Sequence, residues 1–274
     1  MNQRDDWSQH WEDFADAASR NPAQAYRRRL ALGLLEADGP PRRLLDIGSG
    51  QGDFLAAARR RWPRAVLAGL EVSEVGIAQA HAKVPDARLE LRDLTTDARP
   101  SPQLTGWGTH ALCSEVLEHV DDPIRLLAQA RSYLAPRALV VITVPGGPMS
   151  AFDRHIGHRQ HFTPASLTEV VRGAGLDVDW AAGAGFPFFN LYRRVVIARG
   201  ERLVDDVATS ERGAKPPLAA RAAMAAFGPL FRANLTRSRW GTQIVAVART
   251  RAEVGGGSRE QAASTAVGDR RARY

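Results

Sequence analysis

Asp46, Gly48, Gly50, Gly52 and Asp53 set two carboxylates around three alternating glycines, within Leu44-Leu45-Asp46-Ile47-Gly48-Ser49-Gly50-Gln51-Gly52-Asp53-Phe54. Glycine accepts positive φ and lets a ligand press against the backbone. A helix-like pattern from Phe54 to Trp62 follows, so the first N–H groups of that helix would point at whatever occupies the turn. A pyrophosphate is usually seated by glycines spaced G-x-G-x-x-G. Here the spacing is G-x-G-x-G, and acids on both sides would repel a pyrophosphate and attract a cation. A tight turn with no ligand is the plain alternative.

Further acids fall where an adenosine would need them. Glu71 closes a second apolar run, with Val72 beside it, and a carboxylate there can accept from two ribose hydroxyls. Dinucleotide enzymes share this feature, so it supports an adenosine cofactor without choosing one. Asp93 ends a third run, placed to accept from an adenine amino group, with Leu94 to pack on the ring. The ammonium and sulfonium of S-adenosylmethionine would suit Asp46 and Asp53. Each acid also has a plainer reading, as a helix N-terminal charge or a surface-turn aspartate.

Ala111-Leu112-Cys113-Ser114-Glu115-Val116-Leu117-Glu118-His119-Val120-Asp121-Asp122-Pro123 runs from an apolar strand straight into polar residues and a capped helix. The Asp46–Asp53 turn resembles motif I of the class I S-adenosylmethionine-dependent methyltransferases. The Ser114–Pro123 string resembles the segment after strand four in their ubiquinone-biosynthesis-like small-molecule branch. The resemblance spans about 42–144. It implies a seven-stranded, mostly parallel Rossmann-like sheet with an antiparallel last strand, and S-adenosylmethionine as cofactor. The implied cofactor-binding residues are Asp46, Gly48, Ser49, Gly50, Gly52, Asp53, Glu71, Val72, Asp93, Leu94, Ser114 and Glu115.

The donor would carry its own leaving group, so the protein supplies alignment, a dry pocket and, where needed, a base. His119 stands just past strand four, and an imidazole of ordinary pKa, about 6.5, can act near neutrality. His158 and His161 lie in Gly157-His158-Arg159-Gln160-His161-Phe162-Thr163-Pro164, which resembles an acceptor-pocket loop of the same methyltransferases. They are secondary catalytic candidates. Packing against the sheet, or anchoring the helix that starts at Thr163, would explain these histidines equally. No cysteine or acid spacing completes a metal site around the His-x-x-His pair.

The elements that must position these groups alternate strand and helix along the chain, which calls for a doubly wound α/β sheet. Strands are expected at 42–48, 65–72, 87–94, 109–114, 138–144, 176–181 and 242–248. Helices are expected at 23–36, 54–62, 73–82, 122–134 and from Thr163 to about Gly173. Trp7, Trp11 and Phe14 fall on one helical face. The domain reading is an N-terminal helical lid (1–40), a cofactor-binding core (41–185), a helical insert covering the acceptor (186–239), the last core strand (240–250) and a disordered tail (251–274). A helix bent at Gly228-Pro229 is expected over 218–235.

The 274-residue chain carries +7, and +6 of it lies between Arg193 and Arg239, where ten basic residues face four acids. That segment could touch an anionic membrane surface, nucleic acid or an acidic substrate, which keeps a nucleic-acid methyltransferase as an alternative, or be a solvated helical face. Cys113 is the only cysteine, so no disulfide forms within the chain and a reducing cytoplasm is the expected compartment. No apolar run approaches the ~20 residues of a membrane span.

The reading is therefore a methyltransferase for a small-molecule or lipid-like acceptor, cytoplasmic, with peripheral membrane contact through the basic insert as an option. Cys113-Ser114-Glu115-Val116 stands where base-methylating enzymes carry Asn/Asp-Pro-Pro-Tyr/Phe, which argues against nucleic acid. A nicotinamide-dependent oxidoreductase or a non-catalytic cofactor-binding protein would also account for part of the pattern.

Overall fold

The computed structural model describes residues 21–96, 99–199 and 228–252. The expected helix around Trp7, the chain from 200 to 227 and the tail after 252 lie outside the described residues.

Seven strands form one sheet: β1 (Arg43–Ile47), β2 (Val66–Glu71), β3 (Arg88–Leu91), β4 (Gly108–Ser114), β5 (Leu134–Pro145), β6 (Leu176–Ala184) and β7 (Gln243–Thr250). Their order is β3-β2-β1-β4-β5-β7-β6. The first five pair in parallel, and β7 runs antiparallel between β5 and β6. The helices are α1 (Pro22–Leu35), α2 (Asp53–Arg61), α3 (Glu74–Lys83), α4 (Pro123–Arg131), α5 (Ala151–His155), α6 (Pro164–Gly173) and α7 (Phe188–Arg199).

Side chains alternate across a strand, so one sequence serves both faces of the sheet. Leu45, Ile47, Ala111, Cys113, Val140 and Ile142 pack with Leu126 and Leu127 of α4 and Leu167 and Val171 of α6. Leu44, Leu112, Leu139 and Val141 pack on the other face with Ala31 and Leu35 of α1 and Leu55 and Ala58 of α2. The central strands are apolar on both sides, as parallel strands covered by helices must be. The doubly wound architecture expected from the sequence is thus present, and the C-terminal part of α1 is a packed layer of it.

Starts and stops follow local chemistry. Ser73, Asp122 and Thr163 cap α3, α4 and α6 by accepting from Gly76 N, Arg125 N and Ser166 N, respectively. Three expectations need correction. The α4 helix stops at Arg131 rather than Leu134, because Leu134 already pairs with Gly108 as the start of β5. The loop after β5 contains a short helix, α5, closed by a Ser150–Asp153 capping box, and exposed His155 lies within it. The helix ending at Leu230 does not reach Leu235: a single 3₁₀ turn, Phe231–Ala233, replaces it, and Leu235 instead bridges Phe186.

The chain leaves β1 toward β2 and β3, then returns to β4 on its other side, so the switch in strand order lies between β1 and β4. Ligands of open α/β sheets bind beyond the carboxyl ends of the strands at such a switch. The glycine turn after β1 and Ser114–Glu115 after β4 both sit there. Among the described residues no helix is long and apolar enough to cross a membrane. Of the basic segment, the described part includes Arg237 over the Trp180 ring and Arg239 over exposed Trp240.

Candidate functional site

The glycine turn is built from its backbone outward. Gly48, Gly50 and Gly52 all have positive φ, at 72°, 51° and 78°. Gly48 N and Ser49 N both donate to Leu70 O at 2.9 Å, which ties the turn to β2. Gly50 N donates to Glu71 Oε2 at 2.7 Å, and Ser73 N donates to Glu71 Oε1 at 3.0 Å. The Glu71 carboxylate is therefore a staple for the turn. Each carboxylate oxygen can accept two hydrogen bonds, so stapling is compatible with a second, ligand-facing role.

Gly52 begins α2 without a side-chain cap. A Cβ there would lie 2.8 Å from Ala80 Cα of α3, in a left-handed conformation. Gly52→Ala should therefore cost about 2 kcal/mol or more. Chemical denaturation checks this, and near wild-type stability would show that α3 can yield.

Asp46 sits at the end of β1 and is buried. Burial, and then the neighbouring Glu71 charge, raise its pKa well above the ordinary carboxylate range. Ser49 Oγ is buried as well and has no hydrogen-bond partner among the described residues. A buried acid beside a second acid, with an orphaned hydroxyl nearby, is a site short of a cation and a polar partner.

Asp53, expected as the second acid facing the ligand, instead pairs with Lys83 Nζ at 2.6 Å and accepts from Gln51 Nε2. Asp93 Oδ1 accepts from Thr95 N and Thr95 Oγ1, the geometry of a turn. Leu94 is buried in the sheet core, whereas Val72 is exposed.

The second half of the site lies beyond β4 and β5. Ser114 Oγ meets Thr143 Oγ1 at 2.7 Å. Glu115, at φ 57°, turns its carboxylate to Arg27 Nη2 of α1 at 2.9 Å. The same carboxylate accepts from Gln243 Nε2 at 2.8 Å and Thr143 Oγ1 at 3.2 Å. Arg27 Nε also donates to Gln243 Oε1 at 2.8 Å. Four elements thus meet at one acid that the sequence pattern assigns to the cofactor.

Glu118 follows on a 3₁₀ turn, Leu117–His119, and is fully buried. No other described residue gives its carboxylate oxygens a hydrogen bond. Burial, then the Glu115 charge, push its pKa well up. His119 Nε2 stands 4.0 Å from Glu118 Oε1.

The histidine loop docks on this turn. Arg159 N donates to Glu118 O, Gln160 Nε2 donates to Val120 O, and Arg159 pairs with Asp121. His158 then meets His119 edge to face at 4.7 Å between ring centroids. His158 Nδ1 and His161 Nε2 lie 3.1 Å apart. Asp153 Oδ1 stands 3.9 Å from His158 Nδ1, and its Oδ2 stands 3.8 Å from both His161 Nε2 and Arg193 Nη2. The fold therefore brings all three candidate histidines together and leaves His155 out.

Two of the triads formed here, Glu118–His119–His158 and Asp153–His158–His161, have ligand atoms within 4.8 Å of one another. Sequence spacing did not show them, because each triad draws on two segments that only the fold brings together: the Leu117–His119 turn with His158, and the short helix α5 with the loop after it. Arg27 and Arg193 lie in the same cluster and oppose a metal cation there. Arg27, Asp153, Arg193 and Gln243 were all missed in the sequence: Arg27, Arg193 and Gln243 are far along the chain from the groups they meet, and Asp153, though only five residues before His158, belongs to no motif.

Comparison with known proteins adds to this geometry. The family described as a methyltransferase domain matches residues 17–180. A ubiquinone biosynthesis O-methyltransferase from Aeromonas salmonicida is 26% identical over 168 residues, covering 56% of this chain and 70% of its own. A trans-aconitate 2-methyltransferase from Deinococcus radiodurans is 28% identical over 175 residues, covering 64% of this chain and 60% of its own. Among solved structures, the [4+2]-cyclase SpnF superposes with a TM-score of 0.53 at 19% identity, covering 84% of this chain and 82% of its own. At that identity the likeness speaks for the fold alone, and a cyclase on it shows that the fold does not fix the reaction. The match over more than half of its length identifies the chain as a member of the methyltransferase domain family.

Proposed function

We propose that this chain transfers a methyl group from S-adenosylmethionine to a small-molecule acceptor held beyond β4 and β5. The observation that carries the reading is Asp46: a buried acid beside Glu71, at a turn whose three glycines open the backbone to a ligand. An ammonium or sulfonium there would relieve the repulsion between the two acids, and a polar ligand would satisfy Ser49 Oγ. A pyrophosphate would add negative charge to the same place, which weighs against a nicotinamide cofactor.

In this reading Asp46 and the backbone of Gly48, Ser49, Gly50 and Gly52 hold the methionine end. The Glu71 carboxylate accepts from the ribose while it staples the turn, with Val72 alongside. Asp93 and Leu94 border the adenine, and Ser114 marks the passage to the acceptor. Asp53 acts through Lys83, keeping the α2 start neutral, and Glu115 frames the acceptor side. When bound, S-adenosylmethionine supplies a methyl group on a positively charged sulfur that is its own leaving group. The chain's task is to align the acceptor in line with that bond and to exclude water. His119, His158 and His161 are the groups that could take a proton from the acceptor.

The two relatives are named for ubiquinone biosynthesis and for trans-aconitate, both names of small-molecule chemistry, which supports an acceptor of that size. Residues 41–185 would form the donor-binding core, with parts of 1–40 and 186–239 covering the acceptor.

Isothermal titration tests the reading. S-adenosylmethionine should bind the full chain at about micromolar affinity, and NAD should give no heat. NAD binding without S-adenosylmethionine binding would overturn it. A labelled-methyl screen over phenols, alcohols, amines and carboxylic acids then identifies the acceptor class.

A further inference from the structure

The histidine cluster is polar, half-buried and ordered by hydrogen bonds whose direction can be worked out. His161 Nδ1 lies 3.0 Å from the carbonyl oxygen of Gly147. A carbonyl only accepts, so His161 Nδ1 must carry a proton. Arg193 Nη2 also approaches this nitrogen, at 3.4 Å, but both groups are donors and the shorter carbonyl contact decides. In a neutral imidazole the other nitrogen is then bare. His161 Nε2 faces His158 Nδ1 at 3.1 Å, so His158 Nδ1 donates. That leaves the lone pair of His158 on Nε2.

We propose that His158 Nε2 is the atom that takes the acceptor's proton, and that Gly147 and His161 act as positioning residues that hold His158 in this tautomer. This rests on the methyl-transfer reading and narrows it to acceptors with a proton on the atom methylated, a hydroxyl or an amine. A carboxylate acceptor would make the relay pointless. In the step, the acceptor oxygen or nitrogen forms a bond to the methyl carbon. The methyl–sulfur bond breaks and its electron pair stays on sulfur. The proton leaves the acceptor for His158 Nε2, giving an imidazolium next to Asp153, whose Oδ1 lies 3.9 Å from Nδ1.

The surroundings keep His158 ready. Burial, then His119, push its pKa down to about 3, with Asp153 acting the other way and His161 and Arg27 lowering it further. The lone pair is therefore present at neutral pH. A base this weak does not ionise a resting hydroxyl. It suffices because the acceptor proton becomes strongly acidic as the methyl bond forms, so proton transfer runs with methyl transfer.

Nitrogen-15 NMR of the full chain tests the tautomer without donor or acceptor. His158 should show a protonated Nδ1 and a bare, pyridine-like Nε2, and His161 likewise. A protonated Nε2 on His158 overturns the proposal. His161→Leu should let the His158 proton move to Nε2, whereas His161→Gln, which can both donate to Gly147 and accept from His158, should keep it on Nδ1. An unchanged His158 in His161→Leu overturns the relay; should that variant fail to fold, the wild-type spectrum alone still decides. With the acceptor found by labelled-methyl screening, His161→Leu should lower kcat about tenfold or more at unchanged S-adenosylmethionine affinity, with His161→Gln recovering most of it. Loss of S-adenosylmethionine binding in the wild type would instead refute the methyl-transfer reading and leave the tautomer result standing.

Discussion

Replacing Asp46 with asparagine should stabilise the ligand-free protein and at the same time weaken S-adenosylmethionine binding about 100-fold. The two effects share one cause. Folding buries Asp46 beside Glu71, so its charged form is disfavoured in the native state and its pKa is raised. A raised carboxyl pKa contributes stability below the unfolded value and loses it as pH rises through the folded value. At neutral pH the charge is thus a cost, offset only when a cation binds. Asparagine removes that cost, for a gain of about 1–2 kcal/mol, or roughly 3–6 °C in Tm. It also removes the counter-charge for the donor, a loss of about 2.7 kcal/mol in binding. Scanning calorimetry with and without S-adenosylmethionine reads both. The stability of the variant should also fall less steeply as pH rises than that of the wild type, though not become flat, because Glu118 is buried with a raised pKa too. A variant less stable than wild type would contradict this account of Asp46.

Removing Arg27 should have the opposite sign and a larger size. Its guanidinium meets Glu115 at 2.9 Å with both side chains mostly buried, and Glu115 already repels Glu118. Arg27→Ala leaves an unpaired half-buried carboxylate, at a cost of about 2–3 kcal/mol, or roughly 5–10 °C in Tm. The double variant Arg27→Ala, Glu115→Gln should recover much of the loss, since the glutamine keeps a carbonyl for Gln243 without the charge. Urea melts of the two single variants and the double variant complete the cycle. If Arg27→Ala is neutral, or the double variant is no better, the pair does not hold α1 to the sheet.

The strands and the glycine turn after β1 were legible because local rules set them. Apolar runs, three glycines in five positions and the capping residues Ser73, Asp122 and Thr163 act within a few residues of one another. Helix–strand alternation gave the doubly wound class of the sheet, while the order β3-β2-β1-β4-β5-β7-β6 needed the structure. What could not be read was whatever depends on where elements meet. Asp53 stood out as an acid beside the turn, but its pairing with Lys83 depends on α3, and Glu115 stood out as an acid after β4, but its bonds to Arg27 and Gln243 depend on α1 and β7. Glu71 stood out as a strand-end acid, but its role as a staple for Gly50 needs the turn's three-dimensional path. The short helix α5 escaped notice because five residues carry too little pattern.

The bonding of Glu115 also sets an order of assembly. The glycine turn, β2 and β3 draw on residues between Arg43 and Asp93, so that half of the candidate site is complete once those residues have folded together. Glu115 waits for Gln243, which the ribosome adds 128 residues later, and Gln243 in turn reaches back to Arg27 across 216 residues. Loop closure over such distances comes late and slowly. A growing chain therefore completes the glycine turn proposed for the methyl donor well before Gln243 can join Glu115, and β7, the last strand among the described residues, is the one that closes the Glu115 side of the fold.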